Sequence, residues 1–273
     1  MTIAVTNPSA AVQRTAIRLR AVSNAVTAVA GVAAVMAIWW AVGHTLESSP
    51  RFVAFRGFAI EPTFTAFGRL LLTGDAWRAT APSLARVMQG LGWAFLVGAP
   101  VGLAIGSSAW LERLLQLPFQ ILRMVSPLAW MPIAVLAFTT WDAAIIFLIF
   151  AAAVWPIVFA TAAGVKRVDP VWLAMARNLG GSRLAVLGAI VLPAVAQDVF
   201  TGLRLALGVA WIVLVPAEFL GVTSGLGYAI NDARDTLSYD RLTALVVLIG
   251  LIGYVLDALI GALVHRARWT PTT

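Results

Sequence analysis

The sequence predicts an all-α membrane protein with six transmembrane helices. Three observations lead there. Of 273 residues, 61% are hydrophobic and 11% charged, against roughly 25% charged residues in soluble domains. The apolar residues come in continuous runs, not in strict alternation, and a run of about 20 residues crosses roughly 30 Å of hydrocarbon as a helix. Only helices and closed barrels satisfy a backbone in lipid, and continuous runs select helices.

The elements follow in order. Arg14, Arg18 and Arg20 precede the first run, Ala25–Gly43. That run is too long for the apolar part of a signal peptide and is predicted as the first span. Residues 1–24 are then an amino-terminal segment, and residues 25–80 hold the first span and an outer segment. In the latter, Phe64, Phe67, Leu70, Leu71 and Leu72 predict an amphipathic helix lying at the membrane interface. The second span, Val87–Ser107, carries Gly98, Gly102 and Gly106 four residues apart, a stripe that lets another helix approach closely. The third, Phe119–Phe138, contains Pro127 and Pro132, and the fourth, Ala143–Val165, contains Pro156, so kinks are expected. The fifth and sixth are Val199–Ala217 and Thr243–Val264. Between them Gly225 and Gly227 follow no strand and lack the full dinucleotide fingerprint. They are read as a turn that starts a short helix, the alternative being an irregular loop lining a cavity mouth. Residues 81–268 form the core domain, with a loop at 166–187, and residues 269–273 are a tail.

Six spans place both termini on one side. With them fall Arg14, Arg18, Arg20, Arg113, Arg123, Lys166, Arg167, Arg177, Arg183, Arg266 and Arg268, opposed only by Glu112 and Asp169. The other side mixes seven arginines with eight acids, among them Glu61, Asp142 and Glu218. The basic side is cytoplasmic by the positive-inside rule. This distribution also accounts for the net charge of +7 without nucleic acid. No cysteine is present, and His44 and His265 lie in separate parts of the chain, so no metal site is expected.

Few polar groups fall at membrane depth. Ser126, Thr201, Arg204 and Asp257 are the main ones, with Asp198 and Glu218 near the two ends of the fifth span. Such groups pair with one another or face a water-filled path. Arg204 is either a cationic contact on an anion path or a structural partner of a carboxylate such as Asp257. No nucleophile elbow, paired histidine–carboxylate motif or phosphate-binding P-loop appears, so no enzyme activity and no ATP binding are expected of this chain.

The 166–187 loop carries the most specific signal. Leu173 to Pro193 reads LAMARNLGGSRLAVLGAIVLP: a short helix, a turn at Gly180, a second small helix, then Leu192-Pro193 opening the next apolar run. It resembles the cytoplasmic loop of ABC importer permeases, in which Glu-Ala-Ala is followed by three residues, Gly, nine residues, Ile, one residue and Leu-Pro. Ala174-Met175-Ala176, Gly180, Ile190 and Leu192-Pro193 hold that spacing, with Ala174 and Met175 as departures. Ser83 to Arg86 with Gly90, Ser126 to Pro132, Thr201 to Gly208, Ala217-Glu218 and Gly225 to Gly227 are similar to the nitrate, sulfonate, taurine and bicarbonate branch, over about residues 80–268. Ser126-Pro127-Leu128-Ala129-Trp130 and Val154 to Ile157 resemble nitrate permeases most.

The resemblance implies a permease subunit of a type I ABC importer in a bacterial inner membrane. Its partners would be a second copy of itself, two ATPase subunits that bind ATP and Mg, and an extracytoplasmic substrate-binding protein. The ATPase-coupling residues would be Asp169, Pro170, Leu173, Ala174, Met175, Ala176, Arg177, Asn178, Leu179 and Gly180. A translocation path would touch Ser126, Thr201, Arg204 and Glu218. The substrate would be a small anion, nitrate or nitrite before sulfonate, taurine or bicarbonate. An ion-coupled secondary transporter is the rival reading, set against the absence of an internal repeat. An intramembrane enzyme is another, set against the missing catalytic set.

Overall fold

The structure is a computed structural model that describes residues 10–48 and 50–266. The helices are α1 (Ala10–Ser48), α2 (Ile60–Leu72), α3 (Asp75–Ser107), α4 (Ala109–Met124), α5 (Met131–Ala137), α6 (Trp141–Lys166), α7 (Pro170–Asn178), α8 (Arg183–Val186), α9 (Leu192–Glu218), α10 (Leu226–Asp235) and α11 (Tyr239–Arg266). Short 3-10 turns span Pro50–Phe58 and Pro127–Trp130, and a π-helical turn spans Leu187–Val191. Among the described residues, five helices are long and apolar enough to cross a membrane, or six if the bent pair α4–α5 is one span. Residues 1–9 and the 269–273 tail lie outside the described residues.

The third span is where the structure departs most from expectation. Phe119–Phe138 is not one helix. The chain bends by 88° between Met124 and Pro127. Val125 and Ser126 take extended backbone angles, ψ 125° and 128°. The cause is local: the ring of Pro127 disfavours helical ψ in Ser126, and Pro127 has no N–H to give back to α4. By contrast Pro82, Pro100, Pro156 and Pro216 are all accommodated inside long helices.

α6 is the centre of the molecule, packed between α3 and α9. Ile145, Leu148, Ile149 and Ile157 on it are fully buried. Glycines set the spacing on both sides. A Cβ at Gly102 would stand 2.6 Å from Val158 O, and one at Gly202 of α9 would stand 2.8 Å from Ala160 Cβ. The stripe at Gly98, Gly102 and Gly106 therefore faces α6. A second apolar cluster joins α2, α10 and α11 through Leu70, Leu226 and Leu245, at the end of the bundle away from α7. α2 is amphipathic as expected, with Thr63, Ala66 and Leu70 inward and Phe64, Leu71 and Leu72 outward. α1 is peripheral. The Trp39 indole N–H donates to Phe58 O at 2.9 Å, and Gly43 lies against Ala59, both near its carboxyl-terminal end.

Candidate functional site

Two regions concentrate chemistry, one at each end of the bundle. The first is the 166–187 loop. α6 ends at Lys166, and buried Val168 anchors the exit against Val191 and Val195. Asp169 then caps α7, its carboxylate accepting from Val171 N–H at 2.8 Å, and Pro170 occupies the first helical position. Both choices favour a helix start. The helix stops in a Schellman turn: Gly180 N–H donates to Arg177 O at 3.0 Å and Gly181 N–H to Ala176 O at 2.9 Å. Gly180 sits at φ +78°, a left-handed angle that a β-branched residue resists. Ser182 caps the next turn by accepting from Ala185 N–H.

This short helix presents two unlike faces. Leu173 and Ala176 turn inward and are half-buried. Val171, Met175 and Leu179 form an outward row, Met175 57% and Leu179 85% exposed. Ala174, Arg177 and Asn178 are exposed as well. The loop is thus a rigid, capped element with an unpartnered apolar row. Ion pairs fix the span ends around it, Lys166 to Glu112 and Arg167 to Asp198.

At the opposite end lies a buried polar cluster. Glu218, the last residue of α9, has no exposed surface, and Arg86 of α3 is 4% exposed. Arg86 Nη1 donates to Glu218 Oε1 at 2.5 Å and to Ser224 O at 2.9 Å, its Nη2 to Ser224 Oγ at 3.0 Å and its Nε to Asp142 Oδ1 at 2.6 Å. Ser83 Oγ lies 2.8 and 2.9 Å from the two Glu218 oxygens and accepts from Leu226 N–H at 2.8 Å. Gly227 N–H donates to Glu218 Oε2 at 2.8 Å. Ser83 and Glu218 thus satisfy two free amides of the first turn of α10, those of Leu226 and Gly227, and the carboxylate sits at the positive end of that helix. The Gly225–Gly227 pair has its reason here. A Cβ at Gly225, φ +115°, would fall 2.5 Å from the carboxylate oxygens, and one at Gly227 would fall 2.7 Å from Glu218 Cβ. Of the two readings open for that stretch, the turn that starts a short helix is the one observed.

The four residues assigned to a path do not form one site. Ser126 is exposed at the α4–α5 break. Thr201 is exposed and donates its hydroxyl to Gln197 O at 2.8 Å. Arg204 forms a bidentate pair with Asp257 of α11, Nε to Oδ1 at 2.7 Å and Nη2 to Oδ2 at 2.5 Å. Glu218 faces the interior cluster, about 21 Å from Arg204 along α9 at 1.5 Å per residue. The sequence reading missed Ser83, Arg86, Asp142 and Ser224 as a unit. The available signal was three charges, Arg86, Asp142 and Glu218, each at the same end of a separate span.

Residues 94–269 match the family described as binding-protein-dependent transport system inner membrane component. The chain is 35% identical over 235 residues to the taurine transport system permease protein TauC of Escherichia coli, covering 86% of each. It is 39% identical over 193 residues to the nitrate import permease protein NrtB of Leptolyngbya laminosa, covering 71% of this chain and 69% of that one. It is 40% identical over 198 residues to the bicarbonate transport system permease protein CmpB of Synechococcus elongatus, covering 72% and 69%.

Proposed function

Since the chain belongs to the binding-protein-dependent transport system inner membrane component family, as an ABC importer permease of the nitrate, taurine and bicarbonate branch, we propose that it passes a small anion across the membrane. Nitrate or nitrite is the first candidate. The three relatives are named for nitrate and bicarbonate, which are anions, and for taurine, a zwitterion whose sulfonate is anionic, so an anionic oxygen-bearing group is what the three named solutes share. ATP hydrolysis resides in partner subunits and not in this chain.

The observation that carries the reading is α7. A capped helix with a fixed Schellman turn and an exposed row of Val171, Met175 and Leu179 is built to seat in another protein. In our reading that protein is one of two ATPase subunits, which bind ATP and Mg, and the permease works as a two-fold dimer. Both termini and α7 lie on the cytoplasmic side, as the distribution of basic residues favours. Closure of the ATPases moves α7. Because Val168 ties the start of α7 to Val191 and Val195, that motion passes to α6 and α9. The binding protein delivers substrate at the opposite end, where the Arg86–Glu218 cluster holds α3, α6, α9 and α10 together.

The test uses the absence of native cysteine. Single cysteines at positions 172–178 are expected to crosslink to an ATPase subunit in membranes. Crosslinks only to lipid or to extracytoplasmic protein would overturn the placement of α7. Uptake of labelled nitrate, taurine and bicarbonate by cells carrying the whole complex identifies the substrate, and import of a neutral or cationic solute in place of all three refutes the anion.

A further inference from the structure

Beneath α7 lies a cavity of about 880 Å3 that the proposed transport path does not use. Val165, Val168, Val186 and Leu187 give it aliphatic walls, and Arg177 and Arg183 give it charge. No carboxylate lines it. The acids nearest in sequence are engaged elsewhere: Glu112 with Lys166, Asp198 with Arg167, and Asp169 with the amide that it caps. Among the described residues neither guanidinium has an ion pair.

The two sides of α7 keep this cavity separate from a docking partner. Arg177 follows Leu173 by four residues, so both project on the cavity side. Val171, Met175 and Leu179 form the row on the roughly opposite face. A protein seated on the outer row leaves Arg177 facing inward.

We propose that the cavity holds the phosphodiester headgroup of an anionic phospholipid, with Arg177 and Arg183 on the phosphate and the glycerol–acyl portion against the valines. A bare inorganic anion satisfies the cations but leaves the aliphatic walls wet. A lipid satisfies both. The cavity opens where α3 and α6 end, at Ser107 and Lys166, the level at which headgroups meet a bundle. Guanidinium forks match phosphate oxygens in geometry.

Native mass spectrometry of the full chain in detergent tests this, with phosphatidylglycerol and phosphatidylcholine of identical acyl chains at equal concentration. The unaltered chain is expected to retain phosphatidylglycerol preferentially, by roughly fivefold for each engaged arginine. Arg177→Gln with Arg183→Gln brings the ratio near one, and lysine at both positions preserves the preference. Should the paired variant fold poorly, each single glutamine variant is expected to lose about fivefold. Equal retention of the two lipids by the unaltered chain overturns the proposal. So does a preference that survives the glutamine pair, since the lipid then binds elsewhere. Displacement of the lipid by millimolar inorganic phosphate assigns the cavity to a soluble anion instead.

Discussion

Replacing Arg86 by Met should be among the most destabilising single changes available in this chain. The side chain volume is roughly kept, but Glu218 is left with no cation while remaining buried. It would keep only Ser83 Oγ and the Gly227 amide. Removing one partner of a buried ion pair costs about 3–5 kcal/mol, because the remaining charge stays desolvated. At about 2 °C per kcal/mol for a chain of this size, the thermal midpoint in detergent should fall by roughly 6–10 °C. Asp142, the other acid on Arg86, has a 62% exposed side chain. Asp142→Asn should therefore cost only about 0–1 kcal/mol. The double variant Arg86→Met with Glu218→Met should recover part of the loss, since no unpaired charge is then buried. The assay is tryptophan fluorescence or retention of a monodisperse peak on heating. Equal shifts for Arg86→Met and Asp142→Asn, or no shift for the first, would refute the assignment of the cluster as a load shared between two buried charges.

Three further outcomes are expected. Gly180→Val places a β-branched residue at φ +78°, at a local cost of about 1–2 kcal/mol. It should uncouple ATP hydrolysis from uptake while the protein still reaches the membrane, and normal uptake would sink the role of the turn. Gly102→Leu drives a side chain into Val158 O and Thr161. It should cost about 1–3 kcal/mol or more by forcing α3 from α6, read as loss of thermal stability. Arg204→Gln breaks the bidentate pair with Asp257. A lowered yield of intact complex, with Asp257→Asn matching it and the double variant no worse, marks the pair as structural; reduced uptake at full yield marks Arg204 as a substrate contact.

What the sequence made legible is local. The Gly98, Gly102 and Gly106 stripe foretold a close helix seam because its spacing is a property of one helix, but that α6 fills it was not legible. The α7 loop was equally readable, since Asp169-Pro170 and Gly180-Gly181 are start and stop signals in themselves. The buried cluster was not, because Arg86 and Glu218 are 132 residues apart and no spacing rule joins them. A kink at Pro127 was expected, but that it would be an 88° break and not a bend within one helix was not legible. Pro100 and Pro156 sit inside continuous helices while Ser126-Pro127 breaks one, and an apolar run looks alike in both cases. Ser126, Arg204 and Glu218 lie apart in the single chain because polarity alone, a property shared by residues with unlike surroundings, singled them out.

The break at Val125 and Ser126 constrains how the whole bundle is turned within the bilayer. Where α4 stops, Val125 N–H still donates to Leu122 O at 3.2 Å, and the last carbonyls beyond it have no helical donor. Hydrocarbon supplies none, and irregular backbone at membrane depth persists only against protein or beside water. Met124, Val125 and Ser126 are nonetheless uncovered in the single chain. That flank is therefore the one that lipid cannot occupy, and it gives the molecule a wet or partnered meridian running down one side, with α1 on the greasy periphery.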